Sequence, residues 1–427
     1  MRVCELFAGV GGFRVGFENA CNEFETVFFN QWEPSTSNQF AYNCYVRHYP
    51  LDTIDVNVRD YTNLDIHQVP KDELPDFDLL CGGFPCQNYS VAGPKSSRGI
   101  EGSKGILWWD IRRTLEAKNP KFVLLENVDR LLKSPASQRG RDFGIILKCF
   151  DELNYFVEWR VINAADYGEP QRRRRTFIFA YKSNCTYSTA NTNFFNAIFD
   201  FDNTTESRQE ICNSTDSDFF GNIFRCTVAS KAKVDRISDL DLTTLSNTFK
   251  FEFDNSGYMR NGKIYTRKVE PITEPIFPLA NVLLSTDDES YFIDTDDVKF
   301  AKWVALKGAK RKERISKAGH AYTFSEGSIA FPEPNDQPAR TMLTSESTLN
   351  RSTLTVRDPR NGHIRTLLPE EAEQIQTFPI GWTGVKDDKG KPIMTERQRF
   401  FCMGNALVTN LVKRMGESII EIYHNEK

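Results

Sequence analysis

The chain has no strong charge of either sign, no apolar run long enough to span a membrane and no internal repeat. A formal net charge of −4 and a pI near 5.9 exclude attachment to nucleic acid through the overall field, so any such binding rests on local patches. Ten cysteines are present, but no C-x-x-C pair and no regular spacing, which excludes a zinc or disulfide framework. Free thiols of a reducing compartment are expected, with no metal site. The first residues, MRVCELFAGVGG, enter a strand and a glycine turn directly and leave no room for a signal peptide, so a cytoplasmic location is expected. The glycosylation-like tripeptides at Asn184, Asn203 and Asn213 then read as chance in an Asn/Thr-rich stretch.

What is present is alternation. Apolar β-rich runs (RVCELF, ETVFFNQW, FDLLCGGF, KFVLLENV, YFVEWRVI, RTFIFAY) are separated by segments of helical period, over 427 residues that suffice for two domains. Strand, helix, strand in this order predicts an α/β domain with a doubly wound, mostly parallel sheet, because parallel strands need crossovers and helical crossovers cover both faces. Ligands should gather at the carboxyl ends of the strands. From about Asn184 the chain turns Asn-, Thr- and Asp-rich and reads as an inserted, irregular, β-rich region rather than more of the same sheet. The helical segments LLPEEAEQIQTF and NALVTNLVKRMGESIIEIYH follow, Pro369 being suited to a helix start, and the second should return to the first domain. The expected division is 1–185 for the catalytic and cofactor domain, 186–365 for a smaller domain, 366–400 for a hinge segment and 401–427 for the returning helix.

The turn LFAGVGGF would match the dinucleotide fingerprint from Gly9 and Gly11 but has Arg14 where a third glycine is needed. It suits a ligand without phosphates, such as an adenosine carrying a charged amino-acid tail. Gln31 and Trp32, ending the second strand, could meet ribose and adenine, and Asp60, after a presumed third strand, could accept from the adenine amine. In GGFPCQNYS, Cys86 stands between Pro85 and Gln87 just past an apolar run, where a thiol is reachable; Cys81 already fills the interior position. Glu126 ends another run at the same sheet edge. Arg172 to Arg175 precede a strand, so alternate side chains face opposite ways.

An adenosine-bound methyl donor, a thiol, a carboxylate and arginines together suit one reaction. Cytosine carbon 5 becomes nucleophilic only when a thiolate adds to carbon 6, and a carboxyl group held against ring nitrogen 3 stabilises the product. The segments FAGVGGF (7–13), GFPCQNYS (83–90), ENV (126–128), QRRRRTF (171–177), RTMLTSE (340–346) and GNALVTNLV (404–412) resemble, in the right order, the motifs of DNA (cytosine-5)-methyltransferases of bacterial or phage restriction-modification type. The resemblance implies a Rossmann-like domain with Cys86 as nucleophile, Glu126 as cytosine anchor, and Arg173 and Arg175 as base or catalytic-loop contacts. It implies S-adenosylmethionine as cofactor, with S-adenosylhomocysteine as product, lined by Phe7, Gly9, Gly11, Gln31, Trp32, Asp60, Pro85 and Asn405. The family commonly has glutamate where this chain has Gln31.

The same resemblance gives the unmatched middle to target recognition in double-stranded DNA. There Lys302, Lys307, Lys310, Arg311, Lys312, Arg314 and Lys317 cluster against Glu313 alone, and KIYTRK (263–268) is a second basic candidate. Gln87, Ser90, Lys95 and Arg98, in a Gly/Ser-rich loop suited to closing over DNA, and Thr344 are further expected contacts. The cytosine must be flipped out to be reached. A monomer is expected, with no obligate protein partner; a cognate endonuclease would need no physical contact. The alternatives are the transfer-RNA-methylating branch, generally short in the middle region, and a non-catalytic DNA-binding relative, which should lack Cys86 or Glu126.

Overall fold

A computed structural model describes residues 1–84, 107–192, 218–296, 298–315 and 319–426. The first strands form where the apolar runs lie: β1 (Arg2–Leu6), β2 (Glu25–Asn30), β3 (Leu79–Gly83), β4 (Phe122–Val128) and β5 (Tyr155–Asn163). Between them come α1 (Gly12–Ala20), α2 (Phe40–His48), α3 (Leu107–Lys118) and α4 (Arg141–Glu152). A two-residue strand, β6 (Gln171–Arg172), precedes β7 (Arg174–Lys182). Nearly every side chain of β1 to β5 is buried, as a sheet covered on both faces requires.

The nine-stranded sheet is mixed. Strands β2, β1, β3 and β4 are parallel, and every neighbour beyond β4 is antiparallel. Its far side differs from the expectation of an irregular insertion. After β8 (Cys226–Val228), the strands β9 (Lys233–Arg236), β10 (Ser256–Arg260) and β11 (Lys263–Arg267) continue the same sheet, β10 pairing along the edge of β5. The signal for this hairpin is Asn261-Gly262, both at positive φ (49° and 68°), the two-residue turn that matches strand twist. KIYTRK is thus β11, with Ile264, Tyr265 and Arg267 buried, and is no open basic patch. The short β12 (Val269–Pro271) pairs with β8.

The chain divides into two compact units, one of residues 1–167, 174–274 and 409–427, the other of 168–173 and 275–408. The boundary expected at 185/186 therefore lies elsewhere, because β10 and β11 belong to the large sheet. In the first unit the helix Thr409–His424 buries Leu411, Val412, Met415, Gly416, Ile419 and Ile420, one stripe at helical spacing. It packs on α1 so closely that a Cβ at Gly16 would come within 2.5 Å of Val412. On β1, Glu5 is buried and accepts from the Tyr45 hydroxyl at 2.9 Å. Burial pushes its carboxyl up to about 7, and the Tyr45 hydrogen bond and Arg14 charge offset only part of that.

The second unit holds the hairpin β13 (Lys310–Ile315) and β14 (Ala321–Glu326), the pairing of β15 (Ala339–Arg340) with β6, and the pair β16 (Thr355–Arg357) and β17 (Ile364–Thr366). Its interior is organised by fully buried Arg365, which reaches Asp358 at 3.0 Å, Glu371 at 2.6 Å and the Leu284 carbonyl. Glu371 also accepts from the amides of Leu284 (2.7 Å) and Leu368 (2.8 Å). The eight described cysteines are all free.

Removing the cation of Arg365 would leave two buried carboxylates uncompensated, so Arg365→Met is expected to cost about 3–5 kcal/mol, read as a lower urea midpoint. Glu5 sets a pH dependence of definite sign. Between about pH 4.5 and 7 the folded chain holds a proton that the unfolded chain has released, so this contribution to stability falls as pH rises through that window. Glu5→Gln is expected to flatten the stability profile there by roughly 3 kcal/mol; urea titrations at the two ends of the window with unchanged slope in the variant would dismiss that assignment.

Candidate active site

The parallel strands deliver their carboxyl ends to one edge of the first unit. Leu6 is in register with Gly82, and Gly83 with Glu126. Gly83 lies against Glu126, and a Cβ there would stand 3.2 Å from Glu126 Oε2, a tight contact. The Asn127 side chain donates to the Phe84 carbonyl at 2.7 Å, tying the end of β3 to the end of β4. Cys86 follows Phe84 by two positions; it lies outside the described residues, as do Pro85, Gln87, Ser90, Lys95, Arg98 and Lys317.

Glu126 Oε1 meets Arg175 Nε at 2.7 Å, and both side chains are largely shielded. The alternation expected in the arginine run is observed. Arg174 points outward, 3.6 Å from Asp129. Arg175 meets the carboxylate, from β7 running antiparallel to β4 with Val128 opposite Arg175. This pair joins a hydrogen-bonding carboxyl to a fixed guanidinium, an arrangement that can grip the polar edge of a small planar ring.

The glycine turn forms the second part of this edge. Phe7 (φ 57°), Gly9 (φ 57°) and Gly11 (φ 91°) all occupy left-handed backbone, which is uncommon for a phenylalanine. A Cβ at Gly9 would meet nothing within 4 Å, so the turn leaves open space. Gln31, buried at the end of β2, accepts from the Gly9 amide at 2.7 Å through Oε1 and thereby holds the turn against the strand. Beside it Trp32 is 37% exposed, a large share for an indole at a strand end. Asp60 is also exposed, but within a 3-10 segment (Val56–Asn63) that precedes β3 rather than after a third strand. An open glycine cradle, an indole face and exposed polar ends fit an adenosyl group without phosphates.

In the second unit two expectations change. Arg173 is buried and donates to the carbonyls of Met342 (3.2 Å), Gly404 (2.9 Å) and Ala406 (2.5 Å), so it pins backbone instead of contacting a base. Gln171 adds a bond from the Met342 amide at 2.9 Å, and a Cβ on Gly404 would collide with the Thr344 backbone. Asn405 is exposed at the end of its helix, Glu396–Asn405. Lys307 is likewise buried, donating to the carbonyls of Arg351 (3.1 Å) and Thr353, so it is not available to DNA. Burial, helped by the Arg340 charge, pulls its ammonium down to about 8. Lys310, Arg311 and Arg314, by contrast, lie on the exposed β13. Arg351, which grips Leu306, Gly308 and Gly327, gave no sequence signal beyond its charge.

Among the described residues no cluster could hold a metal ion, and no helix is long and apolar enough to cross a membrane. A family model for C-5 cytosine-specific DNA methylases matches residues 1–421. The chain is 43% identical to the type II methyltransferase M.Sau3AI of Staphylococcus aureus, over 99% of this chain and 96% of that protein. It is 36% identical to the type II methyltransferase M.NlaIV of Neisseria lactamica over 42% of this chain and 40% of that one. The fold is shared with the S. pombe Dnmt2 methyltransferase (TM-score 0.57, 14% identity, 99% of this chain and 98% of that chain). With a family match across nearly its whole length, the chain belongs to the C-5 cytosine-specific DNA methylases and is a DNA (cytosine-5-)-methyltransferase.

Proposed function

We propose that the chain transfers a methyl group from S-adenosylmethionine to carbon 5 of a flipped-out cytosine within one short sequence of duplex DNA, through a covalent bond from Cys86 to carbon 6. The observation that carries this reading is the Glu126–Arg175 pair at 2.7 Å, beside Gly83 at the end of β3, the strand whose chain continues to Cys86. A ring inside a duplex offers neither face to a thiol, so the cytosine must leave the stack. The Cys86 thiolate then bonds to carbon 6, and the displaced electron pair moves through the ring toward carbon 5. Glu126 holds ring nitrogen 3 and the exocyclic amine, protonating the former as charge builds, while Arg175 fixes the carboxyl and faces the ring oxygen. S-adenosylmethionine, when bound, supplies an electrophilic methyl group. Loss of the carbon 5 proton to a base, departure of the thiolate and return of the nitrogen 3 proton to Glu126 restore the aromatic ring.

For the cofactor, Gln31 keeps the turn at Gly9 shaped for the adenosyl moiety, Trp32 offers adenine a face, and Asp60 completes the polar contacts. Lys310, Arg311, Arg314 and Thr344 contact DNA. The likeness to M.Sau3AI supports a bacterial restriction-modification setting. There the enzyme works as a cytoplasmic monomer and protects sites that a separate endonuclease cuts.

Bisulfite sequencing of a plasmid from methylation-deficient bacteria expressing the chain should reveal protected cytosines in one recurring short sequence. Cys86→Ala should abolish protection with duplex binding retained, and Glu126→Gln should reduce it by roughly two or more orders of magnitude. Uniform conversion despite soluble protein that binds S-adenosylmethionine would point to an RNA substrate or a silent relative. Gln31→Glu keeps an acceptor for the Gly9 amide and adds charge at the ribose position. Calorimetry should then show cofactor binding tightened roughly three- to tenfold, and no tightening would mean that Gln31 serves the turn alone.

A further inference from the structure

In the second unit an exposed hairpin begins three residues after a helix (Val298–Lys307) ends. Strands β13 and β14 pair only with each other among the described residues. Their register puts Lys310, Lys312 and Arg314 on one face, opposite Glu326, Phe324 and Tyr322. The other face carries Arg311, Glu313 and Ile315 and is partly self-satisfied, Thr323 donating to Glu313 at 2.7 Å. The first face is therefore basic and aromatic.

Arg314 is held there in a specific way. Its guanidinium carbon lies 3.9 Å from the centroid of the Phe324 ring, and it pairs with no carboxylate among the described residues. Stacking fixes the guanidinium without occupying its hydrogen-bonding edge. The root of the hairpin is equally fixed. Arg351 donates to the carbonyls of Leu306 and Gly308, both at 2.6 Å, on one side and to Gly327 on the other, while Lys307 donates back to the Arg351 and Thr353 carbonyls. One guanidinium thus spans both ends of the ribbon.

A two-stranded ribbon fits the major groove of B-form DNA, where guanine presents O6 and N7 as paired acceptors matching the guanidinium fork. Lysines on flexible stems suit phosphates and carry no sequence information. We infer that Arg314 reads a guanine of the target sequence, with Phe324 as the positioning residue that orients its guanidinium and the Arg351 clasp fixing the ribbon's root. This rests on the reading of the chain as a sequence-choosing DNA methyltransferase and assigns one of its specificity contacts. The preorganised fork loses little freedom on binding, which is where such a contact gains over an unstacked arginine.

The test uses the full-length enzyme on duplexes in which each base pair of the methylated sequence is replaced in turn. Wild-type enzyme that methylates none of them would sink the parent reading, and this inference with it, before any variant is made. Arg314→Ala should lower the preference for guanine at one position roughly ten- to hundredfold while preference elsewhere is kept, and Phe324→Leu should relax the same position to a smaller degree. Arg314→Lys, which keeps the charge and the fold but lacks the fork, should behave as the alanine variant does. A uniform loss over all duplexes with a shallower salt dependence would make Arg314 a phosphate contact and overturn the inference. Unchanged discrimination in the arginine variants, or in Phe324→Leu alone, would overturn the guanine assignment or the positioning role respectively. Melting temperature and S-adenosylmethionine binding establish that each variant is folded.

Discussion

Parallel pairing of β2, β1, β3 and β4 is the constraint from which the active-site edge follows. Parallel strands all end on one side, so the turn after β1, the residues after β2 and the segments after β3 and β4 emerge together whatever their distance in sequence. The register adds detail: Gly82 beside Leu6 and Gly83 beside Glu126 leave backbone where a side chain would crowd its neighbour. The two glycines at the end of β3 serve different neighbours, Gly82 the backbone carbonyl of Leu6 on β1 and Gly83 the Glu126 carboxylate on β4.

The second unit depends on another use of chemistry, cations held against backbone carbonyls. Arg173 serves Met342, Gly404 and Ala406; Arg351 and Lys307 serve each other's segments; Arg365 sits between two carboxylates. With few long strands in this unit, many carbonyls lack a ladder partner, and a buried guanidinium can satisfy several at once. Gln171 and Arg173 of the arginine run, RTML and GNA, far apart in the chain, are for this reason one packed assembly within this unit.

The first-unit alternation was legible because period and length agree: each apolar run down to β7 is a strand, and each helical segment between them a helix. The arginine run was legible as alternation; that Arg175 would meet Glu126 across the β4–β7 pairing was not. Charge alone misled at Lys307 and Arg173, since composition does not say which way a long side chain turns. Lys307 follows buried Trp303 by four residues on the same helical face, a spacing that indicates burial as much as the charge suggests solvent. The β10–β11 hairpin was obscured by the polar stretch before it, although Asn261-Gly262 marks its turn.

That hairpin has a consequence for the sheet as a manufactured object. Without β10, the long strand β5 would present its unpaired amides and carbonyls to other chains, a template for edge-to-edge aggregation. The strand that ends the sheet instead is β9, four residues long and carrying Lys233, Asp235 and Arg236. A shortened chain lacking residues 226–267 would trade this blunt, charged border for a sticky one, and its yield as soluble protein would be limited by self-association rather than by loss of the catalytic strands.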